Sequence, residues 1–444
     1  MINFNKLKSY FIFYSKLKYY NTFFVKYKHD IILNTKDETL VTPFKVQGNI
    51  DYNYLVSKFG TKYISDETIA LFNKTFKTDH HWMSRKLFFT HRDFDTFLNN
   101  YISGNKVFLY TGRGPSSNSM HLGHLLPFMF TSYLQKIFNN CPVIIQIADE
   151  EKAAFSTAKE VSNKSVKYKD KFELIYKQGL ENAKEIIAVG NFNSKNTFIF
   201  SNRKYRLESN DFELQATYMK NLVSINDIKK IFGFNDLDTM SVYEWPFYQA
   251  AASFSDSYKN LLYDNSYKNI KYNCLIPHAI DQDPYFRLTR DICAKLNQPK
   301  PSNIMCKFIP PLTSNSGKMS SSSFSNMSIN MNCIFLNDSR SLIKKKIMNS
   351  YSGGGGDGTL IEHAKFGGNP DKDIAYKYLE IFETNDEKLK DIKNSFKSGK
   401  LSCSGIKEYL CNIIINLIES IQERKSKLTE EDVIKFYNTN RKLF

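Results

Sequence analysis

The sequence predicts an α/β chain: a doubly wound parallel sheet, followed by an all-helical C-terminal part. Three observations point there. Apolar runs at 107–110, 142–148, 197–200 and 273–280 are separated by helical stretches, as parallel strands joined by crossover helices are. Tyr110, Gln146 and Asp281-Gln282 fall toward the carboxyl ends of these runs, where such sheets bind ligands. From about residue 338 the pattern is helical. Ile406, Leu410, Ile413, Ile414, Leu417, Ile418 and Ile421 form one long apolar stripe, read as core.

Length and charge set the limits. A chain of 444 residues holds two or three domains with a sizeable core. With 61 Lys and Arg against 45 Asp and Glu, the net charge is +16, which favours a polyanionic partner. A compositional bias toward Lys, Asn, Tyr, Ile and Phe accounts for it equally. The seven cysteines show no Cys-x-x-Cys pair, so free thiols are expected rather than a disulfide framework or structural zinc. No apolar run approaches transmembrane length.

Residues 1–35 interleave Lys6, Lys8, Lys16, Lys18, Lys26 and Lys28 with Phe11, Phe13, Tyr19, Tyr20, Phe23 and Phe24. Three readings stand side by side: an arm contacting nucleic acid, a transit segment that lacks the usual arginines, and an extension without fixed order. In the mixed stretch 42–105, Tyr52–Phe59 and Asp66–Phe76 carry helical spacing.

The most informative stretch is 107–124. A short buried strand ends at Tyr110, and Gly112, Gly114 and Pro115 force a turn. The serines from 116 to 119 offer N-cap oxygens, and Leu122, Leu125, Leu126, Met129 and Phe130 recur at helical spacing. His121, Gly123 and His124 are therefore expected in the first helical turn, where unpaired N–H groups attract a phosphate. Gly123, without a β-carbon, lets a flat base lie close. Other phosphate loops fit worse: a dinucleotide fingerprint lacks its third glycine at Ser117, and Gly317-Lys318 is followed by Met319 rather than Ser or Thr. A metal on His121 and His124 lacks an evident third ligand. Far downstream, after the apolar segment 304–312, the chain reads Gly-Lys-Met-Ser-Ser-Ser-Ser at 317–323. Alone, that is a solvated linker. Paired with the histidines, it is a mobile loop that can bring Lys318 onto a triphosphate.

The pair His121-x-Gly-His124 and Lys318-Met319-Ser320-x-Ser322 is the signature of class I aminoacyl-tRNA synthetases. Further runs extend the match: Val41-Thr42-Pro43-Phe44, Tyr110-Thr111-Gly112-Arg113-Gly114-Pro115-Ser116-Ser117, Gln146-Ile147-Ala148-Asp149-Glu150-Glu151-Lys152, Ile231-Phe232-Gly233-Phe234, Gln249-Ala250-Ala251, the long segment 275–287, Glu362-His363 and Phe366-Gly367-Gly368-Asn369. Over much of 42–444 the chain resembles eukaryotic and archaeal-type tryptophanyl-tRNA synthetases.

The resemblance implies a Rossmann-like catalytic domain at 41–325, with a dimerisation insert at about 152–270. It implies a helical anticodon-binding domain at 326–444, leaving 1–40 as a basic aromatic extension. It implies a cytoplasmic homodimer that activates L-tryptophan with ATP and Mg2+ and charges tRNA(Trp). His121, His124 and Lys318 are then catalytic. Arg113, Gly123, Gln282, Met319, Ser320 and Ser322 bind ATP. Tyr110 and Gln249 face the indole, while Gln146, Glu151 and Gln282 hold the ammonium and carboxylate. Magnesium is expected on the phosphates, with no protein cage.

Departures from the family are Trp245 beside Pro246, expected to narrow the slot or line its wall, Ala148 in place of a hydroxyl, and Ser321, which leaves Lys318 as the loop's lone charge. Tyrosyl-tRNA synthetases share both signatures. Their phenol needs an acidic acceptor shortly after the Gln249 position, and 250–255 is Ala-Ala-Ala-Ser-Phe-Ser. A non-catalytic RNA-binding or signalling protein on the same scaffold need not keep His121, His124, Lys318 and Gln282.

Overall fold

The computed structural model describes residues 40–43, 46–48, 50–115, 119–155, 168–264, 270–314, 316–319, 330–355 and 359–444. The basic extension, most of the serine turn (116–118), Ser320, Ser322 and the tip of the glycine-rich loop lie outside them.

Nine strands occur among the described residues: β1 (Leu40–Val41), β2 (Val46–Gln47), β3 (Lys62–Tyr63), β4 (Phe88–Arg92), β5 (Val107–Arg113), β6 (Val143–Ile147), β7 (Thr197–Ser201), β8 (Asn273–Ala279) and β9 (Ser302–Cys306). β1 and β2 pair with each other; the other seven form one sheet in the order β3-β4-β9-β8-β5-β6-β7. β9, β8, β5, β6 and β7 are mutually parallel, while β4 and β3 add an antiparallel edge. The first parallel strand, β5, lies in the middle. The chain winds outward from it through β6 and β7, then returns to its other side as β8 and β9. The gap between β5 and β8 is the switch point where a doubly wound sheet opens a crevice.

The strands are apolar on both faces, and alternation sorts their side chains. Val107, Leu109, Val143, Ile145, Ile147 and Ile199 join one core with helices Phe94–Ile102, Leu125–Ile137 and Tyr168–Gly190. Phe108, Tyr110, Ile144, Phe198 and Phe200 join the other, with helices Asn210–Lys220, Met240–Ala251 and Asp283–Ile292. The C-terminal helices extend the first core. In helix Cys403–Ser426 the predicted stripe buries Ile406, Leu410, Ile414, Ile418 and Ile421.

Two local expectations change. β5 continues three residues past Tyr110, because its backbone keeps pairing with β6 as far as Arg113 opposite Ile147. Gly112 therefore sits inside a strand rather than in a turn, and a β-carbon there would meet the Gln146 carbonyl oxygen at 2.9 Å. Ser119 caps no helix: its hydroxyl is bound by buried Glu185 at 2.7 Å. The cap is His121 itself, opening a 3-10 turn, Leu122–His124, ahead of helix Leu125–Ile137. All seven cysteines are free thiols. No helix among the described residues is long and apolar enough to cross a membrane.

Candidate active site

A cleft of about 360 Å³ opens at the switch point. Tyr110, Arg113, His121, Gly123, His124, Gln146, Glu151, Gln249, Gln282, Lys318 and Met319 all line it. The two signature segments touch: a β-carbon on Gly123 would lie 3.4 Å from that of Met319. Segment 333–336 braces the histidine turn from below. Leu122 N–H donates to the Ile334 carbonyl (3.0 Å), Leu336 N–H to that of Met120 (2.8 Å), and His121 bridges Phe335.

The histidines are neutral donors. Burial, with the charges of Arg113 and Lys318, pulls His121 down to about 3 and His124 well below its ordinary value. Their rings stack at 3.7 Å. His121 Nδ1 accepts the Gly123 N–H (3.2 Å) and His124 Nδ1 accepts the His121 N–H (3.3 Å). A neutral imidazole whose Nδ1 accepts carries its proton on Nε2. Two Nε2–H groups are thus left to donate.

Two cations complete this end. Arg113 is buried, and its Nε donates to Asn182 Oδ1 at 2.6 Å. Its Nη2 has no hydrogen-bond partner among the described residues. Burial lowers this guanidinium to about 10. A buried, half-satisfied guanidinium fits a phosphate oxygen. Lys318 Nζ lies 2.6 Å from Asp281 Oδ2 and above the Phe308 ring. Asp281 thus holds the signature lysine against the wall of the cleft.

At the opposite end, Tyr110 OH donates to Gln146 Oε1 at 2.5 Å, and Gln146 Nε2 donates to Asn202 Oδ1 at 2.6 Å. Gln146, expected at the ammonium, lines the cleft with its amide bound to Tyr110 and Asn202, and Gly112 opposite it carries no side chain. Gln249 Nε2 donates to Gln282 Oε1 (3.3 Å), while Gln249 Oε1 is buried with no hydrogen-bond partner among the described residues. Glu151 accepts from Tyr285 OH at 3.3 Å. Burial lifts its carboxyl to about 7, Asp281 adds to the lift, and Tyr285, Lys152 and Lys318 oppose it. Gly114 makes room, since a β-carbon there would lie 2.8 Å from Glu151 Oε2.

Trp245 is buried in the second core and does not line the cleft. Asp256, the first acid after Gln249, is bound by Lys271 and Gln298 away from the cleft. Sequence reasoning missed Asn182, Glu185 and Asn202, and it placed Asp281 at the crevice without pairing it with Lys318. The first three are polar residues on amphipathic helices, which sequence alone assigns to solvent.

Residues 103–419 match the family described as tRNA synthetases class I (W and Y). The cytoplasmic tryptophan–tRNA ligase of Saccharomyces cerevisiae is 39% identical over 90% of this chain and 89% of its own length. The human enzyme of that name is 39% identical over 92% and 82%. Among solved structures, a parasite tRNA synthetase in its product-bound form aligns with a TM-score of 0.78 at 38% identity, covering 88% of this chain and 97% of its own. The tryptophanyl-tRNA synthetase of Plasmodium falciparum aligns at 0.75 and 37%, covering 88% and 96%.

Proposed function

From the premise that this chain belongs to the class I tRNA synthetases of the tryptophan and tyrosine group, we propose how its cleft activates L-tryptophan with ATP and charges tRNA(Trp) in the cytoplasm. A carboxylate oxygen of tryptophan attacks the α-phosphorus and pyrophosphate leaves. A hydroxyl of the terminal adenosine of tRNA then attacks the adenylate carbonyl and AMP leaves.

The geometry supports a role for each residue. His121 and His124 give Nε2–H bonds to phosphate oxygens where charge builds, and being neutral they need no counter-charge. Arg113 offers its unspent Nη2. Lys318 leaves Asp281 for the pyrophosphate as the loop closes. Gly123 and Met319 shape the nucleotide site, to which Ser320 and Ser322 belong by motif. Glu151 and Gln282, with Gln146, receive the ammonium and carboxylate, and Gln249 faces the indole. Tyr110 accepts the indole N–H, and Gln146 holds the Tyr110 hydroxyl. Magnesium would come with the nucleotide, held mainly by its phosphates, and would offset their charge.

Residues 41–325 form the catalytic domain, and 326–444 the anticodon-binding domain. The insert at about 152–270 carries the dimer interface. It exposes Leu207, Ile225, Leu237 and Met240, each more than 60% accessible, and a second copy covers such apolar groups. Sedimentation should give a dimer of 51.6 kDa chains; a monomer at micromolar concentration contradicts that.

One observation carries the reading: both signatures and the Tyr110–Gln146 pair share one cleft. The test is amino-acid-dependent exchange of pyrophosphate into ATP. Exchange with tryptophan and little with tyrosine is expected. Exchange with tyrosine alone moves the substrate, and none with either removes the enzyme.

A further inference from the structure

We propose that Glu150 and Arg206, outside the cleft, are positioning residues that fix the sense of the hydrogen-bond chain ending on Tyr110 and so select an indole N–H. The inference rests on the reading of Tyr110 as the indole acceptor.

The chain is continuous and runs one way. Tyr110 OH donates to Gln146, Gln146 Nε2 donates to Asn202, and Asn202 Nδ2 donates to Glu150 Oε2. Tyr110, Gln146 and Asn202 are at most 2% exposed. Each amide in the chain has two orientations of opposite sense, and within it only two long contacts favour one: Gln146 Nε2 to the Tyr248 carbonyl and Tyr110 OH to the Gln249 carbonyl, both at 3.4 Å. The Glu150 carboxylate decides it, because it only accepts and makes the short, charge-assisted contact at the end of the chain. With Glu150 ionised, Asn202 must turn its N–H outward, Gln146 must present Oε1 to Tyr110, and the Tyr110 proton points away from substrate. The phenol oxygen then keeps a lone pair for an indole N–H. Run backwards, Gln146 would donate to Tyr110, and the phenol proton would have only the long 3.4 Å contact to the Gln249 carbonyl to keep it from the indole N–H.

Arg206 secures the terminus. It lies one helical turn beyond Asn202 on helix Asn202–Glu208. Its Nη1 donates to Glu150 Oε1 at 3.4 Å, while Glu213 (2.9 Å) and Glu244 (3.3 Å) fix the rest of the guanidinium. Lys220 Nζ and the Tyr248 hydroxyl brace Glu244 in turn, at 2.6 and 3.0 Å. Burial pushes the Glu150 carboxyl up, and Arg206 opposes this first. A protonated Glu150 would regain a donor and lose the decision. Neither Glu150, Asn202 nor Arg206 lines the cleft.

The test compares tryptophan with 3-benzothienylalanine, in which sulfur replaces the N–H, by pyrophosphate exchange. Wild type should prefer tryptophan strongly. Glu150→Gln and Arg206→Met should each cut that preference about tenfold or more, through the KM for tryptophan, leaving the analogue almost unchanged. The double variant Glu150→Gln/Asn202→Asp should restore it, because the carboxylate then accepts from Gln146 one link nearer Tyr110. Equal losses with both substrates, or no restoration, overturn the proposal and leave Glu150 as mere support. A wild type without preference would instead remove the indole-acceptor reading and the proposal with it.

Discussion

Glu151 joins two conflicting demands in one residue. It must be ionised to hold an ammonium, yet burial lifts its carboxyl to about 7. Below that pH it is protonated in the empty cleft, and binding must expel the proton. The KM for tryptophan should therefore fall as pH rises from 6 to 8, approaching one decade per unit on the acid side. Glu151→Gln should flatten this profile and bind weakly throughout; an unchanged profile contradicts the assignment. Stability runs the other way. A carboxyl whose folded value is raised contributes stability below its unfolded value, near 4.5, and loses it as pH rises through 7. Glu151→Gln should thus gain on wild type in urea midpoint between pH 5 and 8. The histidines show a similar limit of sequence reading. Their spacing pointed to a phosphate site, but their neutrality and shared tautomer come from burial and from the 3-10 turn they cap.

At the scale of elements, apolar runs made β6, β7 and β8 legible almost to the residue, because strands buried on both faces leave no ambiguity of period. β3 and β4 were not legible. Two-residue β3 is exposed, and the Thr90-His91-Arg92 end of β4 reads as polar although Thr90 and His91 are buried. β5 was read short for the same reason: Thr111-Gly112-Arg113 looks like a turn until the backbone is seen pairing with β6. That pairing gives Gly112 its meaning. Gly112→Ala should push β5 from β6 at the Gln146 carbonyl, costing about 1–3 kcal/mol of stability. It should lower kcat/KM for tryptophan more than for ATP, since Gln146 lies directly opposite; equal effects would detach the strand contact from the amino-acid end. The stripe at 406–421 was legible as core, but its tie to the active site was not. Lys425, at the end of that helix, reaches Glu185 (3.2 Å), which binds the Met120 N–H (2.7 Å) just before the histidine turn. No periodicity reports such a contact.

At the scale of the molecule, two segments almost two hundred residues apart share one cleft, because β5 and β8 are neighbours in the sheet but not in the chain. The charge of +16 belongs to this scale too. If tRNA meets that charge, the KM for tRNA in aminoacylation should rise steeply between about 50 and 200 mM salt. Pyrophosphate exchange, which needs no tRNA, should change little. Parallel changes in both would place the salt effect in the cleft. The central claim is that Lys318 crosses from Asp281 to the phosphates as adenylate forms. Its most direct test is the single-turnover rate of tryptophanyl-adenylate formation in wild type and Lys318→Ala. A loss of about a hundredfold or more in rate, with tryptophan affinity nearly unchanged, is predicted; a variant that forms adenylate at the wild-type rate would contradict it.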